Sequence, residues 1–400
     1  MSPRLLFVGT ELGLWISVDG GARWAEWKGG DFPSVAVREV QVHPREHDLV
    51  IGTHGRGIWI VDDITPLRHL TPEVAAQDAA FIDARPVQQR IEATGGWPNG
   101  AAAFVGVNPK DGAVITYYQR TRQLFGKLRI EVLDASGAVI DELPASARRG
   151  LNRVLWTMHR RAPHVPPAVQ LAQAGTQGPR IPPGNYTLRL VKDGKNYTMP
   201  LTVGLDRRVS WTVADRQAQY DAAMKVYALF NDESALFARI AGLREQVAAA
   251  SKGQTAPDPL QRRLADFDTQ LDALRKRIVA TTEGGNITGE ERLREHTDQL
   301  YGAINSWEGP PARYQLDNIA ALRAELGDVS TKFEQLTTTQ LPEINKALSG
   351  SGRHALEVPP ATAFETDGTP GHGEGGMPAG RRDADSHATL ELPKDLRLWH

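Results

Sequence analysis

Cysteine is absent from all 400 residues, which removes disulfide staples, thiolate metal ligands and a cysteine nucleophile together and leaves the redox compartment open. No apolar run reaches the ~18 residues that a membrane-crossing helix needs. Met1-Ser2-Pro3-Arg4 leads directly into an apolar stretch, without the charged, apolar and small-residue regions of a signal peptide. An excess of one charge is missing too. Lys and Arg number 46 and Asp and Glu 48, a formal net charge of -2, which argues against a broad electrostatic footprint for nucleic acid or an anionic membrane. No glycine loop of the phosphate-cradling type is present. The length predicts about two to four domains with separate cores.

What is present first is a repeat. Leu6-Phe7-Val8-Gly9-Thr10 leads into Leu14-Trp15-Ile16, and the phrase returns as Leu49-Val50-Ile51-Gly52-Thr53 leading into Ile58-Trp59-Ile60. Val8 to Ile51 is 43 positions and Trp15 to Trp59 is 44, within the period of a four-stranded propeller blade. Short strands are predicted over 4–8, 13–18, 22–27, 35–42, 48–53 and 57–62. Between the copies, Ser17-Val18-Asp19-Gly20-Gly21-Ala22-Arg23-Trp24 has the Ser-x-Asp-x-Gly-x-x-Trp form of an Asp-box. Its physical reading is a turn: Ser17 and Asp19 accept from backbone amides, Gly20 and Gly21 supply positive φ, and Trp24 returns to the apolar face.

These residues resemble the BNR/Asp-box β-propellers, the superfamily of sialidases, some glycoside hydrolases, sortilin-type receptors and photosystem assembly factors. The resemblance is closest to large bacterial proteins labelled glycosyl hydrolase or sortilin-like. Their last blade carries a Thr-His-Gly-Arg phrase, an aromatic strand and Asp-Asp, here Thr53-His54-Gly55-Arg56-Gly57-Ile58-Trp59-Ile60-Val61-Asp62-Asp63. The resemblance implies a multidomain β plus α chain: the last one to two blades of an incomplete propeller, then an immunoglobulin-like β-sandwich and an antiparallel helical bundle. It also implies upstream blades or a partner chain that completes the ring, and an extracytoplasmic, periplasmic or secreted place in a bacterium with any signal peptide outside this chain.

The rest of the chain divides to match. Residues 1–70 are the blades and 71–100 a connector with a Gly95-Gly96-Trp97-Pro98-Asn99-Gly100 loop. Residues 101–205 alternate strands with turns, including a hairpin at Asp193-Gly194, a dipeptide that tolerates positive φ at both positions; 170–183 is a loop inserted between two of these strands. From 206 to 348 the period becomes helical. Leu236, Ile240, Leu243 and Val247 form one seam and Leu260, Leu264, Phe267, Leu271, Leu274 and Ile278 another. Further helices are predicted over 290–307, with Trp307 inward, and 313–348, with Leu316 inward; an up-and-down arrangement is the simplest. Residues 349–400, rich in Gly, Pro, His and charge, are expected to be mostly disordered.

Candidate chemistry is sparse. His43-Pro44-Arg45-Glu46-His47 fits a zinc motif by letter, but Pro44 and the flanking strands make it a turn, so no metal and no cofactor are expected. His54 and Arg56, with Asp62 and Asp63, form the candidate ligand site; a guanidinium fork and an imidazole suit a carboxylate or phosphate. Ser17, Asp19, Gly21 and Trp24 are structural. Glycoside hydrolysis needs two carboxylates about 5–9.5 Å apart. Glu11, Asp19, Glu39, Asp62 and Asp63 form no evident pair, so the catalytic residues stay unassigned. Asn185, Asn196 and Asn286 begin glycosylation sequons of a kind common by chance. Three functions follow: a non-catalytic portion that recognises polysaccharide or protein; part of a glycoside hydrolase with catalytic residues largely upstream; or a scaffold assembling through its helices. No nucleic acid and no membrane span are expected.

Overall fold

The computed structural model describes residues 3–28, 32–82, 85–90, 111–252, 259–282, 284 and 289–361. It combines β-sheets and helices in two compact units, the chain up to Met158 with Pro183–Val209, and His159–Pro182 with the chain from Ser210. The loop over 95–100 and Asn286 lie outside the described residues.

The first unit opens with β1 (Leu6–Thr10), β2 (Gly13–Ser17) and β3 (Ala25–Glu26) in one sheet and β4 (Val37–Val42), β5 (Leu49–Thr53) and β6 (Ile58–Val61) in another. Phe7 lies opposite Ile16 and Gly9 opposite Leu14. Their counterparts in the repeat pair the same way, Val50 with Ile60 and Gly52 with Ile58. Directly opposed residues share a face, and the next residues along each strand point to the other face. Equivalent residues nevertheless meet opposite fates. Leu14 and Ile16 are 0% exposed, whereas Ile58 and Ile60 are 74% and 59% exposed; Ile51 is 0% exposed and its counterpart Val8 is 44%. The buried faces share one apolar core with Trp27, Val37, Leu49, Ile64 and Leu67, so the front of the first sheet packs on the back of the second.

Gly9 permits that approach. A Cβ there would stand 2.7 Å from Val37 Cγ1 and 2.8 Å from the Val37 carbonyl oxygen, whereas at Gly52 it would meet the Glu39 Cβ of its own sheet at 3.4 Å.

Next come α1 (Thr65–His69), α2 (Pro72–Ala76), β7 (Ala79–Phe81), β8 (Val87–Gln89), β9 (Ala113–Gln119), β10 (Leu128–Leu133), β11 (Val139–Pro144) and β12 (Gly150–Trp156). β13 (Gly184–Lys192) and β14 (Lys195–Leu205) complete the unit. One sheet has the order β12-β9-β7 and the other β11-β10-β13-β14-β8. Trp156 of the first meets Tyr186 of the second edge to face at 5.9 Å, and Tyr117, Ile130, Val132, Leu188 and Leu190 are buried. The Asp193-Gly194 hairpin forms as the dipeptide predicts, with φ of 49° and 79°. The connector contributes β8, which pairs in parallel with the end of β14.

In the second unit, Thr212 caps α3 (Val213–Ser251) in a reciprocal box with Asp215. α4 (Pro259–Ile278), α5 (Leu293–Asn305), α6 (Arg313–Thr339) and α7 (Leu341–Gly350) follow. Every residue of the two predicted seams is buried. The simple up-and-down order does not hold. Gln219 on α3 donates to the Ile304 carbonyl at 2.7 Å and Glu233 accepts from Thr297 at 2.6 Å, so α5 runs against the first half of α3. Arg244 bridges to Asp268 at 2.8 Å and Asp272 at 2.7 Å, which sets α4 beside the second half. α4 and α5 thus share one returning column. α6 rises with α3, Arg323 pairing with Asp232 and Phe333 lying under Arg239.

Four expectations change here. Pro342 ends the helix predicted over 313–348, since its ring cannot continue the hydrogen-bond ladder, and α7 starts afresh. Trp307 is 51% exposed, against Trp211 at 5.5 Å, and Leu316 faces outward. Residues 170–183 do form a loop between β12 and β13, as predicted, and the longer segment His159–Pro182 packs on the helices: His164 N donates to Asn231, Ser234 donates to the His164 carbonyl, and Gly175 N donates to Asp298. Beyond 349 the chain stays packed to residue 361, with Leu356 buried and held through its backbone by Asn345.

Two measurements follow from this packing. Gly9→Ala will lower stability to denaturant by about 1–3 kcal/mol through overpacking, while Gly52→Ala will cost clearly less. Glu233 is fully buried, with Oε2 lacking a hydrogen-bond partner among the described residues. Burial pushes its carboxyl up to about 8 from the ordinary 4.5, Glu295 adding to the shift and Thr297, Arg294 and Arg323 opposing it. The folded chain therefore keeps this proton longer than the unfolded chain; the associated stability is full below 4.5 and is lost as pH rises to about 8. In melts from about pH 5 to about pH 9, the difference in Tm will move progressively in favour of Glu233→Gln.

Candidate functional site

β6 separates the four predicted site residues. His54 and Arg56 stand at the tip before it, and Asp62 and Asp63 follow its far end, with the strand itself about 13 Å long at the usual rise per residue. The tip is built by backbone needs. Gly55 and Gly57 take φ of 78° and 76°. Thr53 Oγ1 donates to the Gly57 carbonyl at 2.6 Å, His54 N to the Ala36 carbonyl at 2.9 Å, and Trp59 Nε1 to the Arg56 carbonyl at 3.0 Å. The first repeat makes a turn one residue shorter, with Thr10 Oγ1 on the Gly13 carbonyl at 2.9 Å. The His54 and Arg56 side chains are exposed, and neither makes a hydrogen bond or ion pair among the described residues.

The far end is a different environment. Arg153 on β12 donates to the Asp63 carbonyl at 2.9 Å and reaches the Asp62 carbonyl at 3.4 Å. Asp63 has φ of 45°; its N–H donates to Asp48 Oδ1 at 2.9 Å, and its carboxylate accepts from Thr65 N at 3.1 Å and lies 3.5 Å from Arg85 Nε. Partial burial, then the Asp48 and Asp63 charges, raise the Asp62 carboxyl against the pull of Arg153. Burial lowers the Arg153 guanidinium, partly offset by Asp63 and Asp62. Arg153 therefore clasps the exit of β6. Nothing in the local sequence pointed to Arg153 or Asp48, because one is 90 positions from Asp63 and the other, at the head of a predicted strand, is 15 positions away.

The pentapeptide at 43–47 is a turn, as its proline predicts. His43 Nδ1 accepts from Glu46 N at 3.0 Å, Glu46 pairs with Arg45 at 2.7 Å, and His47, at φ of 59°, stands against Arg68. Burial and the Arg68 and Arg85 charges depress the His47 imidazole, with Asp63 and Asp48 opposing. Among the described residues no group of three His, Asp or Glu side chains could hold a metal ion.

At 17–24, Ser17 Oγ accepts from Gly21 N at 2.9 Å and donates to Asp19 Oδ1 at 2.9 Å. Asp19 accepts from Arg23 N and Nε, each at 2.9 Å. Burial alone would raise the Asp19 carboxyl, but the Arg23 and Ser17 bonds outweigh it and hold it low. Gly21 sits at φ of 93°. Trp24 departs from expectation: it is 39% exposed, its indole N–H on the Gly21 carbonyl at 3.1 Å. Trp24 precedes β3 and stays over the turn, while Trp27, beyond that strand, reaches the core at 6% exposure.

In urea titrations, Arg153→Ala will cost about 1–3 kcal/mol because two carbonyls lose their donor. His54→Ala and Arg56→Ala will stay within about 0.5 kcal/mol of the parent.

Compared with protein-family models, with curated proteins and with solved structures, the chain finds no match.

Proposed function

We propose that this chain is the non-catalytic interaction portion of a BNR-repeat propeller protein, joined to an immunoglobulin-like sandwich and a helical bundle, and that it recognises polysaccharide or protein outside the cytoplasm. The observation that carries the ligand role is the tip at 53–57. Two glycines and three backbone-directed hydrogen bonds hold the turn without using the side chains of His54 or Arg56, so a charged fork and an imidazole face solvent on a rigid mount. Such a pair suits a carboxylate, which makes acidic polysaccharide the first ligand to try.

The repeat supports the propeller reading. Its two copies stack front to back, leaving the Ile58/Ile60 face of one end and the Val8/Trp15 face of the other exposed. Stacking of that kind is heterologous and continues until a ring closes, which fits further blades upstream or in a partner chain. The Ser17–Trp24 turn fits an Asp-box used as a staple. For the alternative, a glycoside hydrolase, the five candidate carboxylates give little support: Glu11 is paired with Arg38 at 2.7 Å, Asp19 holds its turn, and Asp63 anchors the exit of β6.

The test is affinity electrophoresis in gels containing alginate or polygalacturonate, with a reducing-end assay on the same samples. Retardation that Arg56→Ala weakens by about tenfold or more, with no new reducing ends, is the expected outcome. Reducing ends that accumulate in proportion to protein, and that vanish when a single carboxylate is replaced, would establish the hydrolase instead.

A further inference from the structure

A net charge of -2 conceals an uneven distribution in the first unit. Gly150 lies opposite Gln119, Leu128 opposite Lys192 and Arg129 opposite Pro144. These registers bring the loops 120–127, 145–149 and 192–195 to one end of the strands. Arg122, Lys127, Arg148, Arg149 and Lys195 are all exposed there. The nearby acids are already engaged: Asp193 accepts from Gln123 Nε2 at 2.8 Å and Asp78 from Lys192 at 2.8 Å.

Within this basic end stand two exposed apolar residues. Leu124 is 68% exposed and Phe125 86%. Their loop is pinned at its base, where Gln123 N donates to the Ala147 carbonyl at 3.0 Å and Gln123 Nε2 bonds Asp193. Gly126 takes φ of 90°, and a Cβ there would stand 2.2 Å from Asp193 Oδ1. The loop is thus held with its two apolar side chains outward, at no gain to the unit's own core.

We infer that this end of the first unit docks on an anionic phospholipid bilayer, with Leu124 and Phe125 entering the headgroup and acyl boundary and the surrounding Arg and Lys side chains facing the lipid phosphates. An exposed Leu-Phe pair gains free energy by leaving water, and cations around it gain from the negative surface potential of the membrane. A soluble polyanion would use the cations and leave Leu124 and Phe125 without a role. The surface is separate from the His54/Arg56 tip and does not depend on its ligand.

The experiment is co-sedimentation of the whole chain with vesicles of phosphatidylcholine alone and of phosphatidylcholine with phosphatidylserine at roughly 2:1, beside a heparin column. Binding should appear only with phosphatidylserine and weaken with salt. It should fall about fivefold per charge removed in Arg122→Ala and Lys127→Ala and be lost in Leu124→Ser/Phe125→Ser, with unchanged circular dichroism in every variant. No pelleting with the mixed vesicles, equal pelleting of the Leu124→Ser/Phe125→Ser variant, or retention on heparin without vesicle binding would each overturn the proposal.

Discussion

The approach of Gly9 to Val37 is the contact from which the amino-terminal half of the first unit follows. With no side chain at Gly9, the first sheet comes down on the second until Leu14 and Ile16 share a core with Leu49 and Ile51. Interiors are close-packed, so one methyl group at that point would separate the faces and open voids along both. The second copy keeps the glycine, Gly52, but among the described residues no neighbouring sheet fills the space over it. That difference turns a sequence repeat into an open stack, with one apolar face used and its equivalent left bare.

The second unit depends on a different constraint, the length of α3. At about 1.5 Å per residue its 39 residues span roughly 58 Å, longer than any one of its partners. α4 and α5 have to divide the return between them, and the polar groups gather near the α3–α5 half. Glu233 meets Thr297 there, while Arg216 and Arg180 converge on Glu308 at 3.3 and 2.7 Å. An ion pair as deeply placed as Arg216–Glu308 contributes little net stability, yet it penalises any slip of one helix along another, because a slip leaves a charge unpaired.

Much of this was legible from local pattern. Where one face is wholly buried, period alone identified it: all ten residues of the two helical seams are inside. Asp193-Gly194 could be read because its backbone demand is met within two residues. Trp24 and Trp307 misled for a common reason. An aromatic at the edge of a pattern counts toward the apolar face by composition, but its indole can lie along a turn or another ring instead, as both do here. The candidate site was half legible. The tip at 53–57 follows from its glycines, whereas the Arg153 clasp joins positions 90 apart and left no local trace.

The sequence by itself determined the β plus α composition, the repeat with its two glycine-threonine turns, the helical seams and the absence of thiol and disulfide chemistry. These are statements about period, propensity and residue type, all set over short distances along the chain. Tertiary structure alone decided which copy of the repeat buries its leucine and isoleucine face, that His159–Pro182 packs on the helices, that α4 and α5 share a column, and that five cations gather around Leu124 and Phe125. Each of those depends on which surfaces meet across long separations, and similar local sequences carry no information about what will cover them.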